Sequence, residues 1–134
     1  MGMVQVYLDD ELNDNLEKVS DELNVSKTVI GAITIYSLLS YYEAKSSFAL
    51  LDIDCRITRG NEKKLKIDVP DNLKGLLKKM ANEQARSMNQ LVVGALRSFI
   101  KEYNKFGYRV FANLVAPKDQ IISFTSSKTR KSFL

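Results

Sequence analysis

Val4-Gln5-Val6-Tyr7-Leu8-Asp9-Asp10-Glu11-Leu12 aligns without a gap on Leu65-Lys66-Ile67-Asp68-Val69-Pro70-Asp71-Asn72-Leu73, at an offset of 61 residues (65 − 4). The match continues along the chain: Leu16 meets Leu77, Val19 meets Met80, Ser26 meets Ser87, Ile30 meets Leu91, Ile35 meets Leu96 and Ser37 meets Ser98. Each copy opens with alternating residues and then shifts to helical spacing. A unit of one short strand and two helices is too small to bury its own core. Two copies in one chain are therefore expected to pair with each other.

The alternation is short and clear. Val4, Val6 and Leu8 point one way while Met3, Gln5 and Tyr7 point the other; Leu65, Ile67 and Val69 alternate with Lys64, Lys66 and Asp68. Period two over so few residues predicts a strand with one apolar face. Asp9 then offers a helix N-cap, and Pro70 stands at the equivalent place, where a missing amide proton is tolerated. Leu12, Leu16, Val19 and Leu23 form one helical stripe, and Leu73, Leu77 and Met80 form its twin. After the breaks at Asn24-Val25 and Ala85-Arg86, Ser26 caps a second helix to about Ala44 and Ser87 caps one to about Tyr103. Gly94 lies inside the latter, where glycine costs about 1 kcal/mol against alanine, which points to a closely packed neighbour.

The expected fold class is α+β and mostly helical, with a two-stranded antiparallel ribbon and four helices. Residues 1–44 form the first copy, 45–63 a linker, 64–104 the second copy and 105–134 a C-terminal extension. The linker's middle, Phe48 to Ile57, is apolar enough for an added strand. In the extension, Tyr108-Arg109-Val110-Phe111 and Ile121-Ile122-Ser123-Phe124 read as strands separated by Pro117, and Ser126 to Leu134 as a frayed end.

Composition narrows the chemistry. The single Cys55 and the absence of histidine leave no disulfide framework, no Ser-His or Cys-His nucleophile and no expected zinc or haem site. No Gly-rich phosphate loop or metal-spaced carboxylate set stands out, so a protein that is not an enzyme and carries no cofactor is expected. Neither a signal peptide nor a membrane span is expected, because the uncharged run Thr28 to Tyr42 is short for a bilayer and reads better as a buried helix. A cytoplasmic location fits the cysteine usage. The net charge of +4 divides unevenly: residues 1–45 carry eight acids against three bases, and residues 46–134 carry eight acids against 17 bases. A basic second half suits a polyanionic partner.

A strand followed by two helices, with serine opening the second helix, resembles the ribbon-helix-helix DNA-binding family of Arc- and MetJ-type repressors. Val69-Pro70-Asp71 with Leu73, and then Ser87-Met88-Asn89-Gln90-Leu91-Val92-Val93-Gly94-Ala95-Leu96, carry the closer likeness. Val4 to Leu39 carries the same pattern with aspartate for proline. Family members usually pair one strand from each of two chains. Two copies in one polypeptide, with a C-terminal extension, resemble the tandem members, among them the TraY-type conjugation accessory proteins.

The resemblance implies a pseudo-dimer whose ribbon enters the major groove of double-stranded DNA, which is about 12 Å wide. The outward strand faces then read bases: Met3, Gln5 and Tyr7 from one copy, Lys64, Lys66 and Asp68 from the other. Gln5 suits adenine, Lys64 and Lys66 suit guanine, Asp68 suits the cytosine amino group, and Tyr7 suits a thymine methyl or a phosphate. A solvated strand face is the plain alternative for each. Free amides at the second helices form the expected phosphate clamp, made by Ser26, Lys27, Arg86, Ser87 and Met88. Because the two strands differ, a non-palindromic site can be read.

Transcriptional repression and an accessory role in a plasmid or virus both fit, since both need the same groove contacts, and the likeness to TraY-type proteins favours conjugative DNA processing somewhat. A different class is an antitoxin-like interaction module whose tail from Asn104 binds a partner protein. The helix bearing Tyr36, Tyr41 and Tyr42 is greasy nearly all round, which predicts cover from the linker, the tail or a second molecule. No small-molecule ligand is expected.

Overall fold

The alternating residues at the head of each copy pair with one another. In the computed structural model, which describes residues 2–45, 54–56 and 63–111, strand β1 (Gly2–Leu8) runs antiparallel to strand β2 (Lys63–Val69) in a two-stranded sheet. Gly2 pairs with Val69, Gln5 with Lys66 and Leu8 with Lys63. Lys66 follows Gln5 by the repeat offset of 61, so the ribbon is centred on a pair of aligned positions. Period two then puts Val4, Val6, Leu8, Leu65, Ile67 and Val69 on one buried face.

Each strand leads into two helices: α1 (Asp10–Leu23) and α2 (Lys27–Lys45) after β1, α3 (Asp71–Glu83) and α4 (Met88–Phe106) after β2. Asp9 caps α1, its carboxylate accepting from Leu12 N at 2.7 Å, with Asp10 and Glu11 placed favourably in the first turn. Pro70 opens α3 without a side-chain cap. The two interhelical turns are built alike. Asn24 and Ala85, 61 residues apart, both take left-handed backbone at φ 57° and 56°. The following amides reach back five residues, Val25 N to Ser20 O at 3.1 Å and Arg86 N to Ala81 O at 2.9 Å, which satisfies a carbonyl at the end of each helix. The Ser20 hydroxyl adds a bond to Val25 O.

Packing interlocks the two halves. α2 lies mainly on β2 and α4 mainly on β1, while α2 and α4 also pack against each other. The core includes Leu12, Leu16, Ile30, Ile35, Leu77, Met80, Leu91 and Leu96 beneath the ribbon. Gly31 marks the closest approach: a Cβ there would lie 2.6 Å from Ile67 Cδ1. Gly94 is buried in α4, in keeping with a packed glycine rather than an exposed one. The uncharged run from Thr28 to Tyr42 lies within α2 and buries Ile30, Ile35, Leu38 and Leu39. Among the described residues, no single helix is long and apolar enough to cross a membrane.

Several boundaries differ from the sequence reading. α4 continues to Phe106, because its stop is Gly107 at φ 61° and not the polar residues just after Tyr103. Tyr108 to Phe111 is no strand; Gly107–Phe111 is a 3-10 turn. It folds back so that Val110 is buried and Phe111 meets Phe99 with ring centroids 5.9 Å apart, an apolar gain that an isolated strand would lack. In the expected linker strand, residues 54–56 have no regular structure, and the rest lies outside the described residues. The strand expected at Ile121 to Phe124 and the frayed end also lie outside them. Leu23 and Leu73 are only partly buried at the core's margin.

Candidate functional site

Burying one face of a two-stranded ribbon forces the other outward. All six strand residues singled out from the sequence are exposed on that face, in three cross-strand pairs: Met3 with Asp68, Gln5 with Lys66, Tyr7 with Lys64. Lys63, opposite the buried Leu8, is also exposed, but alternation puts it on the inward side of the ribbon, at its margin. Gln5 Nε2 donates to Tyr7 Oη at 3.1 Å, which aligns these two side chains along the strand. The second amide proton and Oε1 of Gln5 can then still make the paired contact that an adenine edge requires.

The clamp residues sit where the second helices begin, on either side of the ribbon. Ser87 closes a capping box: its hydroxyl accepts from Gln90 N at 3.0 Å, and Ser87 N donates to Gln90 Oε1 at 2.9 Å. Ser26 makes half of that arrangement, accepting from Val29 N at 3.1 Å, because valine stands where the second copy has Gln90. Lys27 is turned toward the protein, its Nζ donating to the buried Asn13 Oδ1 at 3.2 Å. Met88 packs its side chain against the core, leaving only its backbone amide for a ligand. Arg86 is half-buried beside the linker, and its charge is felt at Cys55.

Two contacts escaped the sequence reading. Asn89 Oδ1 accepts from Tyr7 N at 2.9 Å, and Thr28 Oγ1 donates to Lys66 O at 3.3 Å. Each ties the first turn of a second helix to the backbone of the strand in the opposite half. The signal was present as two polar first-turn residues at the repeat offset, but it does not show which backbone group they reach.

Arg97 clasps the described part of the linker. Arg97 Nη1 donates to Asp54 O at 2.8 Å and Arg56 O at 2.7 Å, and Nη2 pairs with Asp9 Oδ2 at 3.1 Å. Asp54 binds the Arg56 guanidinium at 2.7 Å and 2.8 Å, which holds its carboxyl down at about 2. Burial pushes the Cys55 thiol upward. Tyr36, the counterpart of Arg97, is exposed, as is Tyr41, while Tyr42 packs partly on the core. Whether residues 46–53 or 112–134 cover that face lies outside the described residues.

Comparison with family models, with curated proteins and with solved structures finds no match for this chain.

Proposed function

We propose that this chain is a sequence-specific double-stranded DNA-binding protein of the ribbon-helix-helix kind, with both motif copies folded into one intramolecular pseudo-dimer. The carrying observation is the ribbon, whose six exposed residues form one face while the other face is sealed on the core. A two-stranded ribbon of this size matches the major groove, and helix starts on either side suit the flanking phosphates. The pseudo-dimer is supported by the Gln5–Lys66 centre, the paired turns at Asn24 and Ala85, and the reciprocal seating of α2 on β2 and α4 on β1. The 17 residues between Lys45 and Lys63 can reach about 55 Å, ample for the intramolecular connection.

The role is that of a transcriptional regulator or of an accessory factor of a mobile element. Self-association through the exposed Tyr36 and Tyr41 belongs to the same proposal. Selection of bound fragments from a genomic library tests the reading, and the location of the recovered site names the process. Lys66→Ala should then lose about 1–3 kcal/mol of binding and relax preference at one base position. Unchanged affinity and unchanged preference in that variant would remove the ribbon from the readout.

A further inference from the structure

The three outward pairs of the ribbon are related by the repeat offset. The centre pair, Gln5 and Lys66, is its own counterpart; Met3 corresponds to Lys64, and Tyr7 to Asp68. The fold thus supplies two geometrically equivalent ends, and the sequence fills them with opposite chemistry. On the outward face of a ribbon about 20 Å long, the Lys64 ammonium stands at one end and the Asp68 carboxylate at the other.

The ends also differ in how firmly they are held. At the cationic end, Asn89 takes the Tyr7 amide proton at 2.9 Å from within a helix start that is locked by both halves of a capping box. At the acidic end, Thr28 reaches the centre residue Lys66 at 3.3 Å and not Asp68, from a helix start with half a box. The Tyr7 side chain is in turn joined to Gln5. A bonded chain therefore runs from the first turn of α4 through Asn89 and Tyr7 to Gln5. No corresponding set joins α2 to Asp68 among the described contacts.

We propose that the Tyr7–Lys64 end is the discriminating end of the interface, and that Asn89 is the positioning residue that makes it so. This rests on the DNA-binding reading given above. A base edge is distinguished only when donor and acceptor are held to within a fraction of an ångström, and the Asn89 bond fixes that register between helix start and strand. Lys64 suits guanine at this end and Lys66 at the centre, while the acidic end suits cytosine and repels phosphate. The chain thereby sits on a non-palindromic site in one orientation.

The test measures the full chain against a selected duplex and its single-position variants, for the parent and for Asn89→Ala, Asn89→Asp and Thr28→Ala. Asn89→Ala should reduce preference about tenfold at the base pairs beneath Tyr7 and Lys64 while leaving the other end and the salt dependence unchanged. Asn89→Asp keeps an acceptor for the Tyr7 amide, so it should keep the preference while weakening all duplexes alike. Thr28→Ala should leave the Tyr7–Lys64 end intact. An equal loss at every position accompanied by a lower Tm would reduce Asn89 to a structural residue and overturn the inference. An equal loss on every duplex in Asn89→Ala with an unchanged Tm would make Asn89 a sequence-independent backbone ligand and overturn it as well. A parent protein without preference for any duplex would instead bring down the DNA-binding reading, and this inference with it.

Discussion

The two halves of the molecule share a backbone plan and disagree about side chains at the places where that plan leaves room. Both place a strand, a left-handed residue between two helices and a serine at the second helix. They part at Gly31 against Val92, at Lys27 with Asn13 against Met88 with Lys74, and at Tyr36 against Arg97. In the first half, the Lys27–Asn13 bond ties α2 to α1; in the second, Met88 joins the core and no such bond is needed. The shared positions are those that fix chain direction. The divergent ones are those that fix what each surface touches.

Exchanging residues between the halves breaks this comparison most severely at Gly31. Gly31→Val would place a branched side chain against Ile67, which is fully buried and has nowhere to move. We expect a loss of about 3 kcal/mol, at the upper end for overpacking. Val92→Gly should cost about as much by the opposite route, since it opens a cavity and puts glycine inside a helix. Denaturant titrations read both variants. A Gly31→Val protein as stable as the parent would mean that α2 does not approach β2 this closely.

Arg97 is the next point of difference. Arg97→Ala removes the Arg97 donor from Asp9, which keeps Leu12 N, and from two linker carbonyls, and breaks an ion pair whose side chains are each 18% exposed. Partial exposure moderates the effect to about 2 kcal/mol, below that of a fully buried pair. Cys55 should also become reactive toward a thiol reagent, because the parent thiol is buried and held in its neutral form. The exchange in the other half, Tyr36→Arg, should change stability by no more than about 0.5 kcal/mol, as Tyr36 is exposed. Equal labelling rates for Cys55 in the parent and in Arg97→Ala would show that Arg97 does not hold the linker.

These differences also mark how far the residues alone can be read. The ribbon, the four helices and the outward face were legible, because period two and period 3.6 leave direct traces in Val4 to Leu8 and in Leu12 to Leu23. The serine caps were legible for the same local reason. Asn89 on Tyr7, and Arg97 on residues 54–56, were not, since each depends on which distant backbone group arrives beside it. Tyr108 to Phe111 misled because an apolar and aromatic run suits a strand or a short turn equally, and only the Gly107 conformation and the Phe99 surface decide between them.

The shared turns allow a milder test. Asn24 and Ala85 hold the same left-handed conformation, but asparagine tolerates it and alanine pays a steric penalty. Ala85→Gly should raise stability by about 0.5–1 kcal/mol, and Asn24→Ala should lower it by a similar amount. Thermal unfolding of the two single variants suffices. If Ala85→Gly lowers Tm, the turns are not equivalent, and the strongest local sign of a repeated unit is lost.

The smallest effect concerns the linker's own charge pair, which has no counterpart in the other half. Asp54 titrates at about 2, below its ordinary value of 3.8, chiefly because the Arg56 side chain binds it and only secondarily through the charge on Arg97. A carboxyl lowered in the folded state contributes stability that is present above its unfolded value and is lost as pH falls through the folded one. The contribution should therefore be complete at neutral pH and fade between about 4 and 2. With the Asp54 side chain 40% exposed, screening limits it to about 0.3 kcal/mol. Titration of the Asp54 carboxyl carbon by NMR reads the cause directly. Arg56→Ala should return its midpoint most of the way to the ordinary range, and Arg97→Ala should move it less. The reverse order would make Arg97, rather than Arg56, the main partner of Asp54. The linker would then be held by one central arginine, and Arg56 would be released from its carboxylate to the solvent.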